Sequence, residues 1–209
     1  MLTLEQALPF FGTAILLGLS PGPDNLFVLM QSATHGRRAG MLVTLGLCTG
    51  LLAHTAAVAL GVAAVLATST VGFAAVKLVG AAYLLHLAWS AFRAPGKAAL
   101  GIPAPALGPW RMYGRGVLMN LTNPKVAIFF LAFLPQFVQA DAGPVGGQVL
   151  ALGGLFILAT LLVFGSFAWG AGSLGGRLQQ SARAQRNLNR LAGTVFVVLA
   201  AKLAWTETG

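Results

Sequence analysis

The 209-residue chain is 57% hydrophobic and only 8% charged, with 13 Lys and Arg against 4 Asp and Glu and a net charge of +9. A soluble domain carries about 25% charged residues, so this chain cannot clothe a water-facing surface and most of its exterior must meet lipid. The basic residues are scattered in short segments between apolar runs and form no polar face, which argues against nucleic-acid binding and marks them as topology signals.

A bilayer-spanning helix needs ~20 apolar residues, and six such runs follow one another. Span 1 covers about Ala7 to Gln31 and is interrupted by Pro21-Gly22-Pro23-Asp24. The turn Thr34 to Arg38 leads into span 2, about Ala39 to Ala67, and Thr68-Ser69-Thr70 leads into span 3, about Val71 to Phe92. The connection Arg93 to Tyr113 holds Pro95, Pro103, Pro105 and Pro109 and reads as a flexible linker. Span 4, about Gly114 to Val138, is interrupted by Asn123-Pro124-Lys125. A short turn with Asp141 and Pro144 precedes span 5, about Gly147 to Leu174; the polar, basic segment Arg177 to Arg190 precedes span 6, about Leu191 to Trp205. The N-terminal run carries Glu5 and leads into Pro-Gly-Pro, unlike a cleaved secretory signal. Cys48 is the single cysteine, so no disulfide framework exists.

Orientation follows from the connections. Arg37 and Arg38, then Arg93, Lys97, Arg111 and Arg115, then Arg177, Arg183, Arg186 and Arg190 all fall on one side with no acid among them. Glu5, Asp141 and Glu207 fall on the other, with Lys202. The first side is therefore expected to be cytoplasmic, with both termini outside.

The halves share marks. Aligning Pro23 with Pro124 sets Asp24 opposite Lys125, and Lys77 to Tyr83 in span 3 matches Arg190 to Phe196 in span 6. Three spans per half make the second half run upside down. The expected fold is an all-α integral membrane domain of six transmembrane helices in two inverted three-helix repeats, helices 1 and 4 interrupted. Repeat one is about 1–92, the linker about 93–113 and repeat two about 114–209, one membrane domain in all.

Proline removes a backbone donor and clashes with the preceding turn. In lipid, such irregular backbone survives only against protein or a polar cavity. Helices broken at corresponding places in two halves point to a midplane binding site, which makes Pro21, Gly22, Pro23, Asp24, Asn25, Asn123, Pro124 and Lys125 the candidate substrate and proton site. An isolated charge at the centre of a span costs roughly 2.5–3.5 kcal/mol on insertion scales, and Asp24 is the one acid deep within a span. It is expected to respond to protons or bind an ammonium, with Lys125 as its partner or as a carboxylate anchor. The plainer alternative is that the prolines only kink helices and the two charges form a static pair.

Lys77 is expected to snorkel toward the outer surface. Cys48 and His54 are six residues apart and point to different helix faces, so His54 and His86 read as buried, hydrogen-bonded histidines with no metal site. Gly18 and Gly22, Gly46 and Gly50, and Gly172 and Gly176 have the spacing of close helix packing, and Trp89, Trp110 and Trp205 fall where an aromatic belt would lie. No phosphate-binding loop, His-Glu-x-x-His or acid pair occurs, so neither an enzyme nor a cofactor is expected.

Ser20-Pro21-Gly22-Pro23-Asp24, Asn120-Leu121-Thr122-Asn123-Pro124-Lys125 and Lys77 to Leu85 together resemble the LysE/RhtB family, the lysine exporter and homoserine/threonine efflux group. Length and span number fit along the whole chain. The resemblance implies secondary-active export of amino acids or derivatives from the bacterial inner membrane, in exchange for protons, and sits closer to the homoserine/threonine branch. The alternatives are efflux of a metal cation or another small toxic solute, or a channel-like membrane subunit. A homodimer is compatible with the small-residue helix faces.

Overall fold

The computed structural model describes residues 2–20, 22–68, 70–94, 107–139, 142–170 and 181–205, without the side chains of 62–77, 184, 185, 188, 202 and 203. These residues fold entirely as helices and connecting turns. Helix α1 is Leu4–Leu19, α2 Pro23–His35, α3 Arg37–Thr68 and α4 Thr70–Arg93. Helix α5 is Pro109–Leu121 and α6 Pro124–Ile128, followed by a π-helical turn, Phe129–Phe133, and a 3₁₀ turn, Leu134–Phe137. Helix α7 is Val145–Gly170 and α8 Ala182–Trp205.

Local chemistry sets the boundaries. Gln6 Oε1 accepts from the Thr3 N–H at 2.8 Å where α1 starts. Gly36, with φ of +85°, turns the chain directly from α2 into α3, a backbone angle that L side chains avoid. Pro109 is the first helical residue of α5 behind Gly108, a position where the missing N–H costs nothing. Helix α5 therefore starts at Pro109, where the sequence suggested linker as far as Tyr113. Helix α8 likewise starts at Ala182 rather than Leu191, because its Ala, Arg, Gln, Asn and Leu residues carry no breaker and continue the helix through the basic segment.

Helix α3 packs against α5 and α7, α4 packs against α8, and both α1 and α2 lie on α7. The α3–α5 seam is backbone against backbone. A Cβ on Gly46 would collide with the Tyr113 carbonyl, and one on Gly116 with the Val43 carbonyl. At Gly50 a Cβ would come within 2.6 Å of the Asn120 side chain. The Gly46/Gly50 spacing is thus a packing face.

Two apolar clusters form the interior. One is aromatic, built on Phe10, Phe129, Phe130, Phe133, Phe137 and Phe156, with ring centroids as close as 4.8 Å between Phe129 and Phe133. The other gathers Val28, Ala39, Val43, Leu47, Met112, Val163 and Phe164. The outside is apolar as well: Leu60 is 78% exposed and Trp110 84%, with Leu52, Leu150, Leu162, Trp89 and Trp205 also exposed. Such a surface suits lipid.

Helix α3 over Arg37–Gly61 and helix α7 are each long and apolar enough to cross a bilayer. The pairs α1–α2, bent by 63°, and α5 through Phe137, bent by 50°, each qualify as one broken span. The described residues thus hold two to four candidate spans.

His86 departs from the sequence reading: it is exposed, its ring 5.8 Å from that of Tyr83. Its position in α4 turns it away from the packed face that Ala81, Leu84 and Ala88 occupy. Pro21, most of the Arg93–Tyr113 linker, Asp141, Gly172, Gly176, Arg177, Glu207 and the side chains of Lys77 and Lys202 lie outside the described residues.

Candidate functional site

The site is assembled from the loose ends of two broken helices. A helix leaves its last carbonyls without intrahelical donors. At the end of α1, Ser20 turns extended and its N–H donates to Leu16 O. The Gly18 carbonyl accepts from Asn25 Nδ2 at 2.7 Å. The carbonyls of Leu17 and Ser20 accept from Lys125 Nζ at 3.0 and 3.2 Å. A side chain from the other half of the chain therefore caps α1.

Gly22 makes room for that cap, since a Cβ there would lie 3.3 Å from Lys125 Nζ. Pro23 opens α2 as its first residue and Asp24 follows in the first turn. There the carboxylate faces the positive end of the helix dipole, where negative charge is favoured.

The second break mirrors the first. Helix α5 ends with Thr122 and Asn123 donating their N–H groups back to Leu118 and Asn120. Asn123 is the N-cap of α6, its Oδ1 accepting from the Lys125 N–H at 3.0 Å, and Pro124 is the first helical residue. The same Asn123 side chain reaches across to the first break, where its Nδ2 donates to Asp24 Oδ2 at 2.7 Å. His54, partly buried on α3, places Nε2 3.3 Å from the Asn120 carbonyl and its ring beside Phe130. The sequence anticipated a hydrogen-bonded histidine there, but not its partner.

Of the residues singled out in the sequence, Gly22, Asp24, Asn25, Asn123 and Lys125 meet at one place. Pro23 and Pro124 shape the backbone from the exposed side, and Pro21 lies outside the described residues. Asp24 and Lys125 line the same cavity, yet no direct ion pair joins them among the described contacts. Lys125 is committed to backbone carbonyls and Asp24 to the Asn123 amide.

The cavity, about 20 Å³, is lined by Leu17, Gly18, Asp24, Leu47, Asn120, Lys125, Val126, Phe156, Thr160 and Phe164. It lies between the two apolar clusters, taking Leu17, Val126 and Phe156 from one and Leu47 and Phe164 from the other. Among the described residues, three buried acceptors around the breaks have no partner: Asp24 Oδ1, Asn25 Oδ1 and Asn120 Oδ1. Each such group left unpaired costs about 1–3 kcal/mol. Sequence reasoning named Asn120 within the Asn120–Lys125 motif but not as a site residue, and passed over Thr160. Asn120 stands one turn before Asn123 in an apolar run, and that pair of amides was the available signal.

Among the described residues no group of three or more His, Cys, Asp or Glu side chains could hold a metal ion. Cys48 is buried and unpaired with another thiol. The polar groups present suit a small hydrogen-bonding solute, with donors from Lys125 and acceptors from Asp24 and Asn120.

Residues 15–207 match the family described as LysE type translocator. The chain is 32% identical over 203 residues to proteins named homoserine/homoserine lactone efflux protein from Salmonella typhi and Salmonella typhimurium, covering 97% of this chain and 98% of each relative. It is also 30% identical over 192 residues to an uncharacterized membrane protein of Vibrio cholerae, covering 91% of this chain and 92% of that one. No solved structure matches it. The family match, the membrane-protein relatives and the apolar helices make this a multi-pass membrane protein, and the chain belongs to the LysE type translocator family.

Proposed function

We propose that this protein exports small neutral amino acids or close derivatives, of the homoserine and threonine type, across the bacterial inner membrane in exchange for protons. The observation that carries the reading is the cavity between two broken helices, where a buried carboxylate and a lysine stand without pairing directly. The names of the Salmonella relatives support the substrate class. Homoserine and its lactone share a primary ammonium but differ in the carboxylate, so a site that takes both must recognise the ammonium first.

Asp24 is the exchange point. Its free Oδ1 can hold a proton or a substrate ammonium, and one occupant excludes the other. Facing outward, Asp24 takes a proton and releases the ammonium; facing inward, it loses the proton to the cytoplasm and accepts the next ammonium. Competition for one carboxylate makes the exchange obligatory. Asn123 holds Asp24 in place, and Lys125 holds the end of α1, leaving its remaining donor capacity for a substrate carboxylate. A cavity of about 20 Å³ has room for about one water, so the substrate needs the site to open. The apolar clusters on either side are suited to serve as the two gates.

Six spans in two inverted repeats provide the opening motion, with α1–α2, α3 and α4 in repeat one and α5 through Phe137, α7 and α8 in repeat two. The packing supports a two-fold relation: α3 on α5 corresponds to α7 on α1 and α2, while the pairs α3–α7 and α4–α8 map onto themselves. The basic connections face the cytoplasm and both termini face outward.

The test is transport by purified protein in proteoliposomes. With an acid interior and labelled homoserine outside, uptake is expected to be saturable, concentrative and abolished by a protonophore. Unsaturable flux indifferent to the gradient would identify a channel, and movement of cadmium without amino acid would identify metal efflux; either result overturns the reading.

A further inference from the structure

Asn120 is 3% exposed and sits in the last turn of α5, where it lines the cavity opposite no partner. Its backbone carbonyl is engaged by His54 and by the Asn123 N–H, but its side-chain Oδ1 is buried with no donor among the described residues. Buried side-chain amides in native proteins are almost always paired, and an exception calls for an explanation. Asp24, 5% exposed, lines the same cavity, and its Oδ1 is likewise buried without a partner among the described residues.

Two buried acceptors facing one small space suit a ligand that carries several donors. A bridging water would meet that need. Charge separates the two cases. The Asp24 carboxylate and the negative end of the α5 dipole favour a cation, while the Lys125 ammonium and the positive end of α2 favour an anionic group, so an amino acid's two charges match the cavity better than a water does. The Lys125 ammonium lines the same cavity but donates to Leu17 O and Ser20 O and to neither of these side-chain acceptors, which leaves both open to a further donor. The position of the amide is also protected: Gly50 on α3 has no Cβ, and one there would displace the Asn120 side chain.

We propose that Asn120 is a specificity-determining residue that binds the substrate's primary ammonium together with Asp24. The proposal rests on the export reading above and names a second ligand for it. The ammonium donates to Asp24 Oδ1 and Asn120 Oδ1, and Phe156, Phe164 and Leu47 wall the remainder of the solute.

Asn120→Ala and Asn120→Asp test it, in proteoliposomes, with homoserine and homoserine lactone as substrates. Loss of one hydrogen bond to a charged group predicts that Asn120→Ala raises KM for both substrates about tenfold or more while kcat stays within about threefold. Asn120→Asp keeps an acceptor and adds a negative charge, so kcat/KM shifts severalfold toward the cationic lactone over zwitterionic homoserine. An unchanged KM in Asn120→Ala means the amide holds a buried water only and overturns the proposal. If Asn120→Ala does not fold, the Asn120→Asp ratio decides, and an unchanged ratio overturns it equally. Absence of saturable transport by the wild type would instead sink the export reading, and this assignment with it.

Discussion

Asn123 Nδ2 donates to Asp24 Oδ2 at 2.7 Å, joining two helix breaks that lie 99 residues apart in the chain. The same side chain starts α6 by accepting from the Lys125 N–H. One amide therefore fixes both the backbone of one break and the carboxylate of the other.

Asn123 should for that reason be doubly sensitive. Asn123→Ala removes an N-cap, worth about 0.5–2 kcal/mol, and strips Asp24 of its donor. Asn123→Asp keeps the cap and sets a second carboxylate against the first. In thermal denaturation in detergent, Asn123→Asp is expected to lose less stability from α6 than Asn123→Ala, yet to transport no better. Wild-type transport in Asn123→Asp would contradict the role given to the amide.

Asp24→Asn removes the charge and leaves the shape. It is expected to insert and fold while losing exchange almost completely, by about two orders of magnitude or more, as for a group on which a cycle depends. Normal export of homoserine by this variant in proteoliposomes would remove Asp24 from the mechanism.

Lys125→Met is expected to act on stability before it acts on transport. It leaves the Leu17 and Ser20 carbonyls without donors, at a cost of about 3–6 kcal/mol for two hydrogen bonds to a charged group. Lys125→Arg, which keeps donors and charge, should recover much of this. A Lys125→Met melting temperature equal to wild type would mean that the α1 end finds its donors elsewhere.

The glycines separate into tight and open positions. Gly116→Ala drives a methyl into the Val43 carbonyl and Gly46→Ala one into the Tyr113 carbonyl, each expected to cost about 1–3 kcal/mol through overpacking. Gly12→Ala meets nothing within 4 Å and should be neutral, or stabilising by about 0.5–1 kcal/mol. Thermal shifts of the three variants side by side check the ordering.

The breaks were legible because proline and glycine inside an apolar run are costly unless something uses them, and their positions at Gly22–Asp24 and Asn123–Lys125 match the observed helix ends. The company kept by the two charges was not legible. Opposite charges at aligned positions suggested a pair, but a helix end offers an ammonium several carbonyls at once, and Lys125 takes those. Which donor reaches Asp24 depends on how two distant segments cross, and no local pattern encodes that. The starts of α5 and α8 were missed for a different reason: prolines and arginines were counted as linker, although Pro109 is a good first residue and the arginines continue a helix.

The α3–α5 seam limits how the molecule can flex. Where Gly46 and Gly116 press main chain onto main chain, there are no pliant side chains to re-pack, so the two segments must travel as a single girder. Any rocking then has to be taken up where the girder ends, at the Leu121–Pro124 joint, only one residue beyond Asn120. Bending at that joint would shift Asn120, on the girder, relative to Asn123, which tethers Asp24, so under the proposed binding mode opening the pathway and letting go of its cargo would be one mechanical event.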